Sequence, residues 1–256
     1  MSGRVGYERL AKRLHEATAR YGASEYLIAL TALATANALL GAPAFLLAPT
    51  LRLLAEPEGV ANLTRGLWAA TTSHFGYLAD RIGALTGWLD AAGDHQVRAL
   101  AACFDVLAGL DVHASFEDAN GDLLGPVYMS LRGLSSQQAA GAFYTPPDLS
   151  LLLGAMTMPD EGARVMEPCC GAGGMVLGVV KAMRQAGRDP NACTWVLNDL
   201  DPLAVALAGV NLAAHGLDRV VLCVGDGLLL GTGVDGDPLL QAVRSAGLER
   251  QQRRAS

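Results

Sequence analysis

Charge is scarce in this sequence. Asp, Glu, Lys and Arg make up 17% of its 256 residues, and the excess is acidic, a net −6 at neutral pH. A chain of this kind lacks the broad positive field that drives nonspecific nucleic-acid binding. A nucleic-acid partner must be reached through a local basic face or a basic companion. Cysteines number five, at 103, 169, 170, 193 and 223, and none has metal-ligand spacing. Cys169 and Cys170 are adjacent, which makes a bridge between them awkward, so we expect a reduced, cytoplasmic chain with buried thiols. The N-terminal MSGRVGYERLAKRLHE has no signal-peptide core. One uncharged run, Tyr26 to Leu51, is long enough to span a bilayer. It is rich in Ala and Thr, contains Asn37, and is interrupted by Gly41, Pro43 and Pro49. It reads as two buried helices joined by Gly-Ala-Pro, and no membrane association is expected.

Half of the residues (51%) are apolar, enough for a sizeable core in one large domain or two small ones. Tyr7, Leu10, Leu14, Ala17 and Tyr21 recur at three- and four-residue steps, the pattern of an amphipathic helix, with Arg9, Lys12, Arg13 and Arg20 on its solvated faces. Residues 60–112 continue in Ala/Leu-rich helical style, with breaks near Gly76 and at Ala-Ala-Gly-Asp. The first half therefore reads as all-helical. The style changes over 115–131 and again after Thr145, where apolar strands alternate with helices. ARVM (163–166), TWVLN (194–198) and RVVLCV (219–224) read as strands, and 173–187 as a helix. A second helix has Asp201 as N-cap, Pro202 in its first turn and Gly216 as terminator. Strand–helix–strand–helix–strand with right-handed crossovers is half of an open parallel α/β sheet.

Between the first strand and its helix the sequence is ARVMEPCCGAGGMVLG, with glycines at 171, 173, 174 and 178. Such a turn lets backbone N–H groups approach a ligand with no Cβ in the way. A phosphate-binding loop would need Lys-Ser/Thr after its last glycine, and Met175 stands after Gly174. The dinucleotide fingerprint fits at Gly171 and Gly173 and fails at Val176. Acids follow each strand: Glu167, Asp199 and Asp226. Open α/β sheets bind ligands at these carboxyl ends. Three carboxylates suit an amino group, a ribose diol and an adenine amine, which together describe S-adenosylmethionine.

GAFYTPPDLS, VMEPCCGAGGM, LNDLDPLAVALAGVNLAAHG and VGDGLL, in that order, resemble the adenine-N6 DNA methyltransferases, above all the methylation subunits of type I restriction–modification systems. Upstream, DLLGPVYMSL is similar to the segment preceding the Phe-Tyr-Thr-Pro motif there. The resemblance covers about residues 115–230. It implies that Phe143, Tyr144 and Thr145 close over the methionine end of the cofactor, with Thr145 bonding its carboxylate. Glu167 and the backbone of Gly171, Gly173 and Gly174 would flank the methionine moiety. Asp199 would take the ribose hydroxyls, Leu200 would lie against adenine, and Asp226 would accept from the adenine amine.

The family's Asn/Asp-Pro-Pro-aromatic motif, which holds the flipped target adenine for an in-line attack on the methyl group, is missing. The sole Pro-Pro here, Pro146–Pro147, follows Thr145 and belongs to the lid segment. We therefore assign no catalytic residue in this chain. The family sheet has seven strands, and three are legible; beyond Leu230 only a helix over 238–250 and a basic tail are expected. The fold class implied is α/β. It comprises a partial class I S-adenosylmethionine-dependent methyltransferase (Rossmann-like) parallel sheet, preceded by an all-helical N-terminal domain. Boundaries are expected at 1–114 for the helical domain, 115–145 for the linker and cofactor lid, and 146–256 for the methyltransferase domain. In the family's strand order the first strand would be left as an open apolar edge. We expect the N-terminal helices, another copy or a second polypeptide to cover it. Two functions remain open: a DNA adenine-N6 methyltransferase-like protein that needs a partner and meets DNA through a complex, or a catalytically inactive S-adenosylmethionine-binding or DNA-associated regulatory module.

Overall fold

Leu10, Ala11, Leu14, Ala17 and Thr18 fall on one side of the first helix, α1 (Tyr7–Ala19), and are buried, as their spacing requires. The computed structural model describes residues 6–22, 26–41, 44–110, 122–135 and 145–227. Helix α2 (Tyr26–Ala38) is buried at every position from Ile28 to Asn37. A helix apolar on all sides belongs at the centre of a helical assembly. A 3-10 turn (Leu39–Gly41) separates it from α3 (Ala44–Leu54), so the uncharged run folds as two helices. Pro49 does not break the second, contrary to expectation. It lies inside α3, where the missing N–H removes a single backbone bond and the helix continues. Among the described residues no helix is long and apolar enough to cross a membrane. Helix α4 (Val60–His74), a 3-10 turn (Gly76–Leu78), α5 (Gly83–Thr86), a second 3-10 turn (Gly87–Ala91) and α6 (Asp94–Ala108) complete the helical half.

Residues expected to act as a connecting segment carry a further helix, α7 (Leu124–Ser135), followed by α8 (Pro147–Met156). The α/β unit then runs β1 (Arg164–Glu167), α9 (Gly174–Gln185), β2 (Thr194–Asp199), α10 (Pro202–Ala214) and β3 (Val220–Val224). The strands form one parallel sheet in the order β1-β2-β3. Val165, Trp195 and Val220 align in one row of the register, and Met166, Val196 and Val221 in the next. Successive residues of a strand point to opposite faces. β2, flanked on both sides, is buried up to Asn198. The helix expected over 238–250 lies outside the described residues.

The helical half closes the β3 side of the sheet. α2 and α5 pack on α10. The Tyr77 hydroxyl donates to Leu217 O at 3.0 Å, and Arg81 Nε donates to Leu222 O at 3.1 Å, bonding a carbonyl of the β3 strand itself. β1, at the other side, has one neighbour among the described residues. Its alternating exposure leaves Met166 44% accessible beside buried Val196. Among the described residues no strand pairs with this edge, and the described N-terminal helices do not cover it. Four cysteines are buried, whereas Cys169, expected inside, is exposed because it lies in the turn that leaves the sheet.

α8 and α9 cross at glycines. A methyl on Gly178 would lie 2.4 Å from Ser150 C and O, and one on Gly154 would lie 2.7 Å from Gly178 C. Those neighbours are backbone and cannot swing away. Gly178→Ala should lower stability by about 1–3 kcal/mol in urea unfolding, although alanine is the better helix former. An unchanged or raised midpoint would mean that the two helices are not held at this distance.

Candidate cofactor site

The carboxyl ends of the three strands are tied together by one buried amide. Asn198, in β2, donates from Nδ2 to Pro168 O (3.0 Å) after β1 and to Gly225 O (2.9 Å) after β3. Cys170 N–H donates to Asn198 O at 2.8 Å, and Gly225 N–H to Asp199 O at 3.0 Å. The loops that shape the site are thus held by the middle strand. A methyl on Gly227 would stand 2.6 Å from Pro168 O, so the chain after β3 runs directly against the turn after β1.

Within that turn Gly171 has φ 52° and Gly173 φ 91°, left-handed values that a side chain opposes. The Gly171 N–H donates to Asp199 Oδ2 at 2.8 Å, and the Asp201 N–H donates to Asp199 Oδ1 at 3.0 Å. Each carboxylate oxygen keeps a second lone pair for a ligand hydroxyl. Asp201 caps α10, accepting from Leu203 N–H at 2.9 Å through Oδ1. Its Oδ2 takes the Tyr128 hydroxyl and lies 3.4 Å from Arg132 Nη1. Burial, then the bond to Asp201, raises the Tyr128 phenol, so it stays a neutral donor.

A cavity of about 170 Å³, partly open to solvent, lies between this turn and α7. Thr145, Gly171, Gly174 and Asp199, all expected site residues, line it. Glu167, Gly173, Leu200 and Asp226 do not. Glu167 Oε1 instead accepts from Cys169 N–H at 3.2 Å, bracing the turn. Gly173 turns the chain into α9, where a methyl would meet Leu212 at 3.3 Å. Leu200 is 72% exposed at the tip after β2, and Asp226 is exposed after β3. Phe143 and Tyr144 lie outside the described residues.

One wall comes from residues that the strand-tip reasoning missed: Asp122, Gly125, Tyr128, Met129 and Arg132, all in or just before α7. Asp122 is fully buried. Its Oδ1 accepts from Gly125 N–H (2.9 Å) and from Asn211 Nδ2 (3.0 Å), while Oδ2 has no partner among the described residues. Desolvation outweighs both bonds and pushes the carboxyl up to about 6. Asn211 also donates to Ala172 O (2.8 Å) and accepts from Asn37 Nδ2 (2.8 Å), so α2, α10, α7 and the glycine turn meet in one amide–carboxylate cluster. The available signal was a lone asparagine in each of two apolar helices, since a buried amide must find partners. Burial raises the Cys170 thiol, with the Asp199 and Glu167 charges adding to the effect, which favours the protonated form.

Parallel strands with a bare-backbone turn after the first and a carboxylate after the second define a Rossmann-like α/β unit. Residues 119–229 match the family described as N-6 DNA Methylase, as the motif order implied. The type I restriction enzyme MjaVIII methylase subunit of Methanocaldococcus jannaschii is 30% identical over 127 residues, 48% of this chain. The match spans 21% of that relative's length. The crystal structure of the type I restriction–modification methyltransferase subunit from Streptococcus thermophilus superposes with a TM-score of 0.49 at 18% identity. The superposition covers 90% of this chain and 61% of that one.

Proposed function

We propose that this chain binds S-adenosylmethionine in the cavity beneath α7 and forms the cofactor-binding part of a DNA adenine-N6 methyltransferase of the restriction–modification type. The observation that carries the reading is Asp199, anchored on Gly171 N–H at 2.8 Å and lining a cavity at the strand ends. The residues present fit the cofactor. Asp199 offers two acceptors to a ribose diol, and Thr145 offers a hydroxyl to a carboxylate. The Gly171 and Gly174 backbone flanks the methionine end, and Glu167 supports it from outside the cavity by bracing the turn; Leu200 and Asp226, on the tips after β2 and β3 beyond the described lining, would meet adenine only by turning towards it. Phe143 and Tyr144 precede Thr145 in the same sequence motif. The cofactor supplies an electrophilic methyl group, and this chain's residues hold and orient it.

The sequence contains no Asn/Asp-Pro-Pro-aromatic motif, so the groups that hold the target adenine are not among these 256 residues and are supplied by a partner segment. The β1 edge, unpaired among the described residues, is where that partner segment joins, adding a strand beside β1. Its contact face is apolar to match Met166 and the exposed side of α8, where Leu149, Leu152 and Met156 recur at helical spacing. DNA is then met through the assembled complex rather than by this acidic chain alone.

Calorimetry with S-adenosylmethionine should give one site per chain. Methyl transfer to adenine-containing DNA should be absent for the chain alone and appear when the partner is added. No binding by the wild-type chain would end the reading; transfer by the purified chain alone would end the divided-site part of it.

A further inference from the structure

We propose that residues 238–250 of this chain dock as a helix on the exposed face of α8, closing in the free chain the surface that the partner segment needs. Leu149, Leu152 and Met156 stand on that face, with Leu152 57% and Met156 74% accessible. Large apolar side chains at helical spacing on one open face call for a cover. The backbone itself heads to that side of the molecule. β2 separates β3 from β1, yet by Gly227 the chain has crossed the end of β2. A methyl on Gly227 would stand 2.6 Å from Pro168 O and 3.2 Å from Cys169 Sγ, both just after β1. Thr145, two residues before α8, lines the cavity at this same end of the sheet. Residues 228–237 then supply the reach, since ten residues extend to about 33 Å and packed helices lie only about 8–10 Å apart. They end at Asp237–Pro238, the same opening as Asp201–Pro202 of α10. Beyond it Leu239, Leu240, Val243 and Ala246 share one side of a helix, with Gln241, Arg244 and Ser245 on the other. A helix over 238–250 is about 20 Å long, enough to cover the roughly 15 Å of α8. Charge favours this occupant over a second copy. Residues 238–256 hold Arg244, Arg250, Arg253 and Arg254 against Glu249 alone, so the rest of a chain of net −6 is more acidic still. That body attracts the segment and repels its like. The tether adds to the effect by keeping the segment at high local concentration.

Limited trypsin digestion of the full chain reads the docking, because a bond within a docked helix is cut only when the helix opens. Leu152→Asp on α8 and Leu240→Asp in the segment should each speed cleavage after Arg244 by at least about tenfold, since each sets a charge in an apolar contact. Leu53→Asp, at a comparably exposed leucine of α3, should leave that rate unchanged. Cleavage after Arg244 at the wild-type rate in Leu152→Asp or Leu240→Asp would overturn the docking. So would a wild-type chain that sediments as a dimer beside a monomeric Leu152→Asp with Arg244 cut alike in both, for then a second copy covers the face. The competition with the partner segment rests on the divided-site reading, whereas the docking does not. Adding the partner of the methyl-transfer assay should raise the wild-type Arg244 rate to that of Leu152→Asp, and a slow rate in an active complex would end the competition. Calorimetry keeps the two failures apart: a chain that binds no S-adenosylmethionine sinks the methyl-donor reading, while the trypsin rates still decide the docking.

Discussion

Asp199→Ala should weaken S-adenosylmethionine binding by at least about 100-fold, the largest loss expected from any single substitution at the site. Two ligand hydroxyls lose charge-assisted acceptors, each bond worth about 1.5–3 kcal/mol, and about 2.7 kcal/mol already amounts to a factor of 100. The effect extends past the direct contacts. Gly171 and Asp201 both donate their N–H groups to this carboxylate, so its removal also frees the glycine turn and the entry to α10. Asp199→Asn separates the two roles. The amide can still accept from one N–H, so the fold should be kept while the nucleoside is held poorly. Calorimetry measures the affinities and thermal unfolding measures the fold. Binding by Asp199→Ala within threefold of wild type would place the ribose elsewhere.

Asn211→Leu should cost about 3–5 kcal/mol of stability, the largest loss expected away from the strand tips. The leucine is close in size and suits an apolar helix, so packing does not drive the effect. Three hydrogen bonds disappear: those to Asp122, to Ala172 O and from Asn37. Asp122 keeps Gly125 N–H as its one remaining hydrogen bond among the described residues, in a fully buried position. A carboxylate stripped of a partner in such a place is strongly destabilising. The double variant Asn211→Leu, Asp122→Leu should recover part of the loss, because the stranded charge is gone. Urea unfolding of the four proteins completes the cycle. A loss under about 1 kcal/mol for Asn211→Leu, or strict additivity, would show that the cluster is not one unit.

The α/β unit was legible almost residue by residue because its signals are local. Asp201 caps α10, Pro202 opens it and Gly216, at φ 67°, stops it. Three short apolar runs between such signals became three parallel strands, with β2 running one residue further, to Asp199. The strand-tip acids were found by the same reasoning, but it treated them alike. Asp199 lines the cavity, while Glu167 and Asp226 stand outside it. The difference lies in where each turn sends the side chain, which residue type does not encode. The α7 wall was hidden for another reason. Asp122 meets Asn211 across 89 residues, and no short pattern reports a pairing at that distance. Pro49 shows the limit of punctuation rules, for one lost N–H did not outweigh the continuity of α3.

The burial of α2 has a consequence for how the protein is made. From Ile28 to Asn37 the helix has no wet side, and part of its cover is α10, with Asn37 bonded to a residue 174 positions later. While a ribosome is still copying the intervening message, that greasy cylinder has left the exit tunnel and its lid has not yet been synthesised. Until α10 emerges, the side of α2 that it covers stays exposed, so full burial of this helix is completed late in synthesis.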